Sequence, residues 1–112
     1  WLEGRDVILD IDVQGVRQLR NQKIPGVFVF ILPPSLRELK RRLKNRKTEG
    51  KVALGRRLKK AQAEISRARM YDYLVINDSL KKAGQRLKAV ILAEYCRRER
   101  LTEAIEKLLV EK

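Results

Sequence analysis

Two carboxylates set two residues apart are the first groups in this chain that suggest chemistry. Asp10 and Asp12 end the apolar run Val7-Ile-Leu-Asp10-Ile-Asp12-Val-Gln-Gly15. The run is rich in β-branched residues and reads as a buried strand over about 7–12. Side chains at i and i+2 share one face of a strand, so the two carboxylates should point the same way. Ionised side by side they repel, and burial adds to the cost, so they call for a donor, a cation or a ligand. In open α/β sheets ligands bind beyond the carboxyl ends of the strands, where this pair would lie. The plainer alternative is that Asp12 caps the helix that follows.

Arginines form the second group. Arg46 and Arg57 lie eleven residues apart, at the end of one basic helix and within the next, so their guanidiniums could converge on one anion. Arginine suits phosphate because its planar fork donates in pairs and keeps its charge beside other cations. A solvated cationic face, or a helix tracking a nucleic-acid groove, has the same spacing. Further on, Asn77 offers both a donor and an acceptor, the match for an adenine edge, although a helix cap is the simpler use.

Composition narrows the possibilities. With 27 Lys and Arg against 14 Asp and Glu, the 112 residues carry a formal charge of +13, so anionic partners are expected. Histidine is absent and Cys96 is the single cysteine, which argues against Ser/His/Asp catalysis, a zinc site or an internal disulfide. Aromatic residues are only 5%, leaving few platforms for stacking bases. No apolar stretch is long enough to span a membrane and no signal-peptide pattern opens the sequence, so a cytoplasmic location is expected. The chain starts at Trp1 and its one methionine is Met70, so a preceding piece is expected.

These residues need elements to hold them. After the first strand, a short basic helix from Gln14 to Asn21 should bury Val16 and Leu19 and break at Pro25-Gly26. The run 27–32 is apolar throughout, the mark of a strand buried on both faces, and Pro33-Pro34 stops it. Ser35-Leu-Arg-Glu38 has the form of a capping box, opening a helix with Leu36, Leu39 and Leu43 inward. A second helix carries Leu54, Leu58, Ala61, Ile65 and Ala68 on one stripe. A third strand follows at about 73–76, then helices over about 79–111 with Ala83, Leu87, Val90, Ile91, Ile105, Leu108 and Leu109 inward. The order argues for an α/β domain with a mostly parallel sheet of about three strands and a helical hairpin over about 36–69.

Taken together, Val7 to Gly15, Phe30-Ile-Leu-Pro-Pro-Ser35, Arg41-Arg-Leu-Lys-Asn-Arg46, Arg56-Arg-Leu58 and Tyr71-Asp-Tyr-Leu-Val-Ile-Asn-Asp78 resemble guanylate kinase in order and spacing. The resemblance implies the C-terminal part of a three-layer P-loop nucleoside-monophosphate kinase domain across 1–112, with the hairpin as its lid. It implies transfer of a phosphoryl group from ATP to GMP, with Mg²⁺. Asp12 would read the guanine edge, with Gly15 beside it, and Asp10 would lie near the magnesium and its waters. Arg46 and Arg57 would close over the transferring phosphate. Arg42, Asn77 and Asp78 would line the ATP side.

Two departures accompany the resemblance. The lid turn reads Arg46-Lys-Thr-Glu49 and runs on into Gly50-Lys-Val52, where the family is usually acidic. No Gly-x-x-x-x-Gly-Lys-Ser/Thr loop occurs, and the GMP-binding insertion is absent as well. The expected partner is therefore the N-terminal part of the same domain, without which the chain should be inactive and prone to self-association through open strand edges. A guanylate-kinase-like interaction module would keep the fold without needing both lid arginines, which are present here. A basic nucleic-acid binder explains the charge but not the paired aspartates.

Overall fold

The computed structural model describes residues 7–46 and 50–111, with the side chains of residues 45 and 46 outside the description. Among the described residues, five α-helices and two strands run in the order α1 (Val13–Asn21), β1 (Val29–Leu32), α2 (Leu36–Arg46), α3 (Lys51–Ser66), β2 (Tyr73–Ile76), α4 (Leu80–Tyr95) and α5 (Thr102–Val110). Single 3₁₀ turns at Ala68–Met70 and Arg98–Arg100 precede β2 and α5.

β1 and β2 pair in parallel, with Val29 opposite Tyr73 and Leu32 opposite Ile76. Both ends of the ladder are tied further. The Asp72 and Tyr73 amides donate to the Phe28 carbonyl at 2.8 and 3.1 Å, and the Asn77 amide donates to the Leu32 carbonyl at 2.7 Å. Asp72 also accepts from the Phe28 amide at 2.8 Å, and Arg20 from α1 lies 3.4 Å from the same carboxylate and 4.5 Å above the Phe28 ring. Arg20 thus pins the end of α1 to the start of the sheet through an ion pair and a cation–π contact.

The helices follow local chemistry. Ser35 Oγ accepts from the Glu38 amide at 3.0 Å, making half of the expected capping box, while the Glu38 carboxylate turns instead to Arg41 and Arg42. α1 ends in a Schellman motif: the Lys23 amide donates to the Arg20 carbonyl and the Ile24 amide to the Leu19 carbonyl. Lys23 takes the left-handed conformation this needs, at φ 56°. The helix therefore stops before Pro25-Gly26. Ser79 caps α4 by accepting from the Lys82 amide at 3.2 Å.

α4 is held to the sheet by a buried carboxylate. Glu94 accepts from the Tyr73 hydroxyl at 2.5 Å and meets Arg97 at 3.4 Å and Arg100 at 3.9 Å. These partners supply the compensation that a carboxylate needs away from water. The Tyr73 phenol is pushed above its ordinary range, first by that hydrogen bond and then by burial.

Three expectations are corrected. Residues 7–12 form no strand, so among the described residues the sheet has two strands where about three were expected. A strand needs a neighbour for its amides and carbonyls, and no described strand pairs with this run. Val7, Ile8 and Leu9 are consequently 56, 82 and 60% exposed. The second strand begins at Val29 rather than at 27, and Ile31 on it is exposed, because no described element covers that face. In α5 the apolar residues expected to face inward, Ile105, Leu108 and Leu109, are also exposed.

The buried apolar residues among those described are Val13, Val16, Ala68, Val75 and Ala83, of which Val75 is the largest fully buried. The radius of gyration is 18.7 Å with extents of 71 × 32 × 24 Å, against about 13 Å for a compact domain of about 100 residues. The described elements are therefore not closed around one compact core.

Candidate active site

The sheet's carboxyl edge is where the expected site residues should meet, and on one side they do. Arg42, on α2, donates through Nη2 to the Asn77 carbonyl at 2.8 Å and through Nε to Glu38 at 3.0 Å. Asn77 directly follows β2, so this bond fastens the basic hairpin to the tip of the sheet. A second guanidinium reaches the adjacent carbonyl: Arg86 on α4 donates to the Ile76 carbonyl at 2.7 Å and to Asp78 Oδ1 at 2.6 Å. Consecutive carbonyls at the end of β2 are thus each held by an arginine, one from α2 and one from α4.

Electrostatics follow from these pairings. Arg86, together with the Ser79 amide, holds the Asp78 carboxyl down at about 2. Glu38 is likewise held at about 2, first by Arg41 and, against some burial, by Arg42. Both acids therefore stay ionised through the neutral range and keep their arginines in place.

The carboxylates of the first run behave differently. Asp12 is the cap of α1: its Oδ1 accepts from the Gly15 amide at 2.8 Å and its carbonyl accepts from the Val16 amide at 3.1 Å. A Cβ at Gly15 would come within 3.3 Å of that carboxylate and of Ile11, which accounts for the glycine through the cap itself. Asp12 also lies close enough to Tyr71 to raise its pKa, along with Glu64 of α3, although burial of the phenol is the larger cause. Tyr71 packs edge-on to Phe30, with ring centroids 4.9 Å apart. Asp10 is exposed and forms no hydrogen bond or ion pair with the described residues. No described contact links Asp10 or Asp12 to Arg42, Arg57, Asn77 or Asp78.

Arg57 is half-buried on α3. Arg46 ends α2, and its side chain lies outside the described residues, as does the expected lid turn at 47–49. Among the described residues no group of three or more His, Cys, Asp or Glu side chains is arranged to hold a metal. No helix among them is long and apolar enough to cross a membrane.

Two supporting residues escaped the sequence reading. Glu38 four positions before Arg42 is an ordinary helical pairing and was visible in the sequence. Arg86 was not, since its partners Ile76 and Asp78 belong to the strand end and cap that precede its helix.

Comparison with known proteins decides among the families that such a site suggests. The family model described as guanylate kinase matches residues 2–94. The chain belongs to the guanylate kinase family. It is 46% identical over 105 residues to the guanylate kinase of Geobacter sulfurreducens, covering 94% of this chain and 52% of that protein. It is 45% identical over 107 residues to that of Bacillus subtilis, covering 96% of this chain and 52% of the relative. A further guanylate kinase, from Halalkalibacterium halodurans, is 43% identical over 106 residues, which is 95% of this chain and 52% of that protein. The chain spans about half the length of the curated relatives it matches. Guanylate kinases have a P-loop kinase fold, and the parallel β1–β2 pair with flanking helices is compatible with it.

Proposed function

We propose that this chain supplies the lid and the ATP side of an ATP:GMP phosphotransferase whose remaining half carries the phosphate loop and most of the GMP site. The observation that carries the reading is the bond from Arg42 to the Asn77 carbonyl. It ties the arginine-rich hairpin to the residue that follows β2, and in α/β folds nucleotides bind at the carboxyl ends of parallel strands, which supports the reading.

The roles follow from chemistry. Phosphoryl transfer is accelerated mainly by positioning and by neutralising charge on the moving group, so Arg46 and Arg57 are assigned to the transferring phosphate. Asp12 is assigned to guanine, whose ring N–H and exocyclic amine both donate to one carboxylate, a pattern adenine lacks. Asn77 is assigned to adenine. Asp78, ion-paired to Arg86, supports the same turn of chain.

Magnesium in such sites keeps several waters and is held by substrate phosphates with one or two carboxylates. The exposed oxygens of Asp10 suit that outer role, and the metal would supply charge neutralisation on the phosphates. Alone, the 112-residue chain is expected to be inactive.

The test is complementation. The chain is combined with the N-terminal half of the Geobacter sulfurreducens relative, and GMP-dependent ADP formation is followed, with the relative's own two halves as control. Activity with the combination but not with either half alone is expected. Arg57→Ala should then lower kcat by about a thousandfold while GMP KM changes little. Loss of kcat and GMP affinity in equal measure would remove Arg57 from the transferring phosphate. Silence from the combination, where the control halves turn over, would end the phosphotransfer reading.

A further inference from the structure

The hairpin carries a groove that the phosphotransfer reading does not use. Between α2 and α3 lies a groove of about 490 Å³, floored by Leu43, Leu54 and Leu58 and edged by Lys40, Lys44 and Lys51. Arg41 also borders it but is committed to Glu38. Among the described residues the three lysines have no ion-pair partner, and none of the described residues that line the groove is acidic. Arg42, which reaches Asn77, is not part of the lining.

Gly55 sharpens the case. It sits within α3, where glycine weakens a helix relative to alanine. An added Cβ there would meet nothing within 4 Å, so packing inside the molecule does not require the glycine. It lines the groove and leaves it wider. Lys51, on the same rim, belongs to the basic stretch that follows the lid turn.

We infer that the α2–α3 groove is a docking site for an acidic amphipathic helix of a protein partner, with apolar side chains on the leucine floor and carboxylates on the lysine rim. Charge complementarity carries the choice of occupant. Residues 36–66 hold twelve Lys and Arg against three Glu, so the groove lies within a strongly positive field. The leucine floor suits apolar anchors at helical spacing, as in other helix-in-groove complexes. A nucleic acid would bring sugars and phosphates to that floor and would find no aromatic side chain in the lining on which to stack a base.

The test uses the 112-residue chain and a fluorescent helical peptide of about fifteen residues, built from Glu and Leu with the leucines at i, i+3, i+4 and i+7. Anisotropy should show saturable binding. Gly55→Trp, which fills the groove, and a triple Lys40→Gln/Lys44→Gln/Lys51→Gln variant should each weaken binding by about tenfold or more. Gly55→Ala should bind as the parent does, with circular dichroism confirming intact helices. The three lysines are exposed, so the triple variant decides the matter should Gly55→Trp not fold. Equal binding of an all-Glu peptide, or of a single-stranded RNA of matched charge, would reduce the site to a general polyanion surface and overturn the inference. Unchanged binding by both groove variants, or no binding by the parent chain, would overturn it too. None of these results depends on catalysis, so the groove and the phosphotransfer reading stand or fall separately.

Discussion

Removing the Arg42 guanidinium should loosen the hairpin from the sheet without unfolding either. Arg42 makes one charged hydrogen bond to the Asn77 carbonyl at 2.8 Å and one to Glu38 within its own helix. Only the first crosses between elements. A hydrogen bond with one charged partner contributes about 1.5–3 kcal/mol where water is excluded. The Arg42 side chain is 34% exposed, so solvent screening brings the expected value down to about 1 kcal/mol. That corresponds to about a fivefold rise in the population of the undocked hairpin. Amide hydrogen exchange on Arg42→Gln should therefore quicken by about that factor across α2 and at Asn77, whose own amide is bonded to Leu32. Arg42→Lys should recover only part of the protection, since an ammonium lacks the fork that spans Glu38 and Asn77. Asn77→Ala leaves the backbone carbonyl in place and should leave α2 unchanged. Equal effects of Arg42→Gln and Asn77→Ala, or full recovery with lysine, would refute the claim that this one bond docks the hairpin.

Three further outcomes follow from packing and charge. Val75, 2% exposed on β2, should cost about 2–3 kcal/mol when cut to alanine. Ile31→Ala, at 47% exposure on the paired strand, should cost less than half as much in urea melts. Because the Asp78 carboxyl lies at about 2 rather than its ordinary 3.8, its pair with Arg86 contributes stability above pH 3.8 that is lost as pH falls toward 2. Arg86→Gln should abolish that part of the acid transition and return the Asp78 carboxyl toward its ordinary value in a carbon-detected NMR titration. Lys23→Gly should raise stability by about 0.5–1 kcal/mol in thermal melts, since lysine is strained at φ 56° and glycine is not.

The helices were legible because their causes are local. Ser35 and Ser79 cap, and the stripe from Leu54 to Ala68 turns inward, through spacings of three and four residues that tertiary surroundings hardly alter. The resemblance to guanylate kinase was legible for a related reason, since it lies in short runs of neighbouring residues, and the family model matches residues 2–94. The cap that Asp12 makes for α1 is local in the same way, its Oδ1 accepting from the Gly15 amide three residues on.

Strands were the opposite case. The run at 7–12 has the composition of a buried strand, yet a strand exists only by pairing with a neighbour, and composition does not say whether one is present. α5 has an amphipathic pattern, yet its apolar side is exposed, because burial belongs to the pair of surfaces and not to the helix. The bracing of the β2 tip by Arg42 and Arg86 depended on two helices, α2 and α4, reaching consecutive carbonyls, a fact of three-dimensional packing. Sequence alone determined which segments coil and which family they belong to, because helix formation is set within a few residues. Tertiary structure decided which apolar runs find cover and which arginines find carbonyls, because those free energies depend on partners distant along the chain.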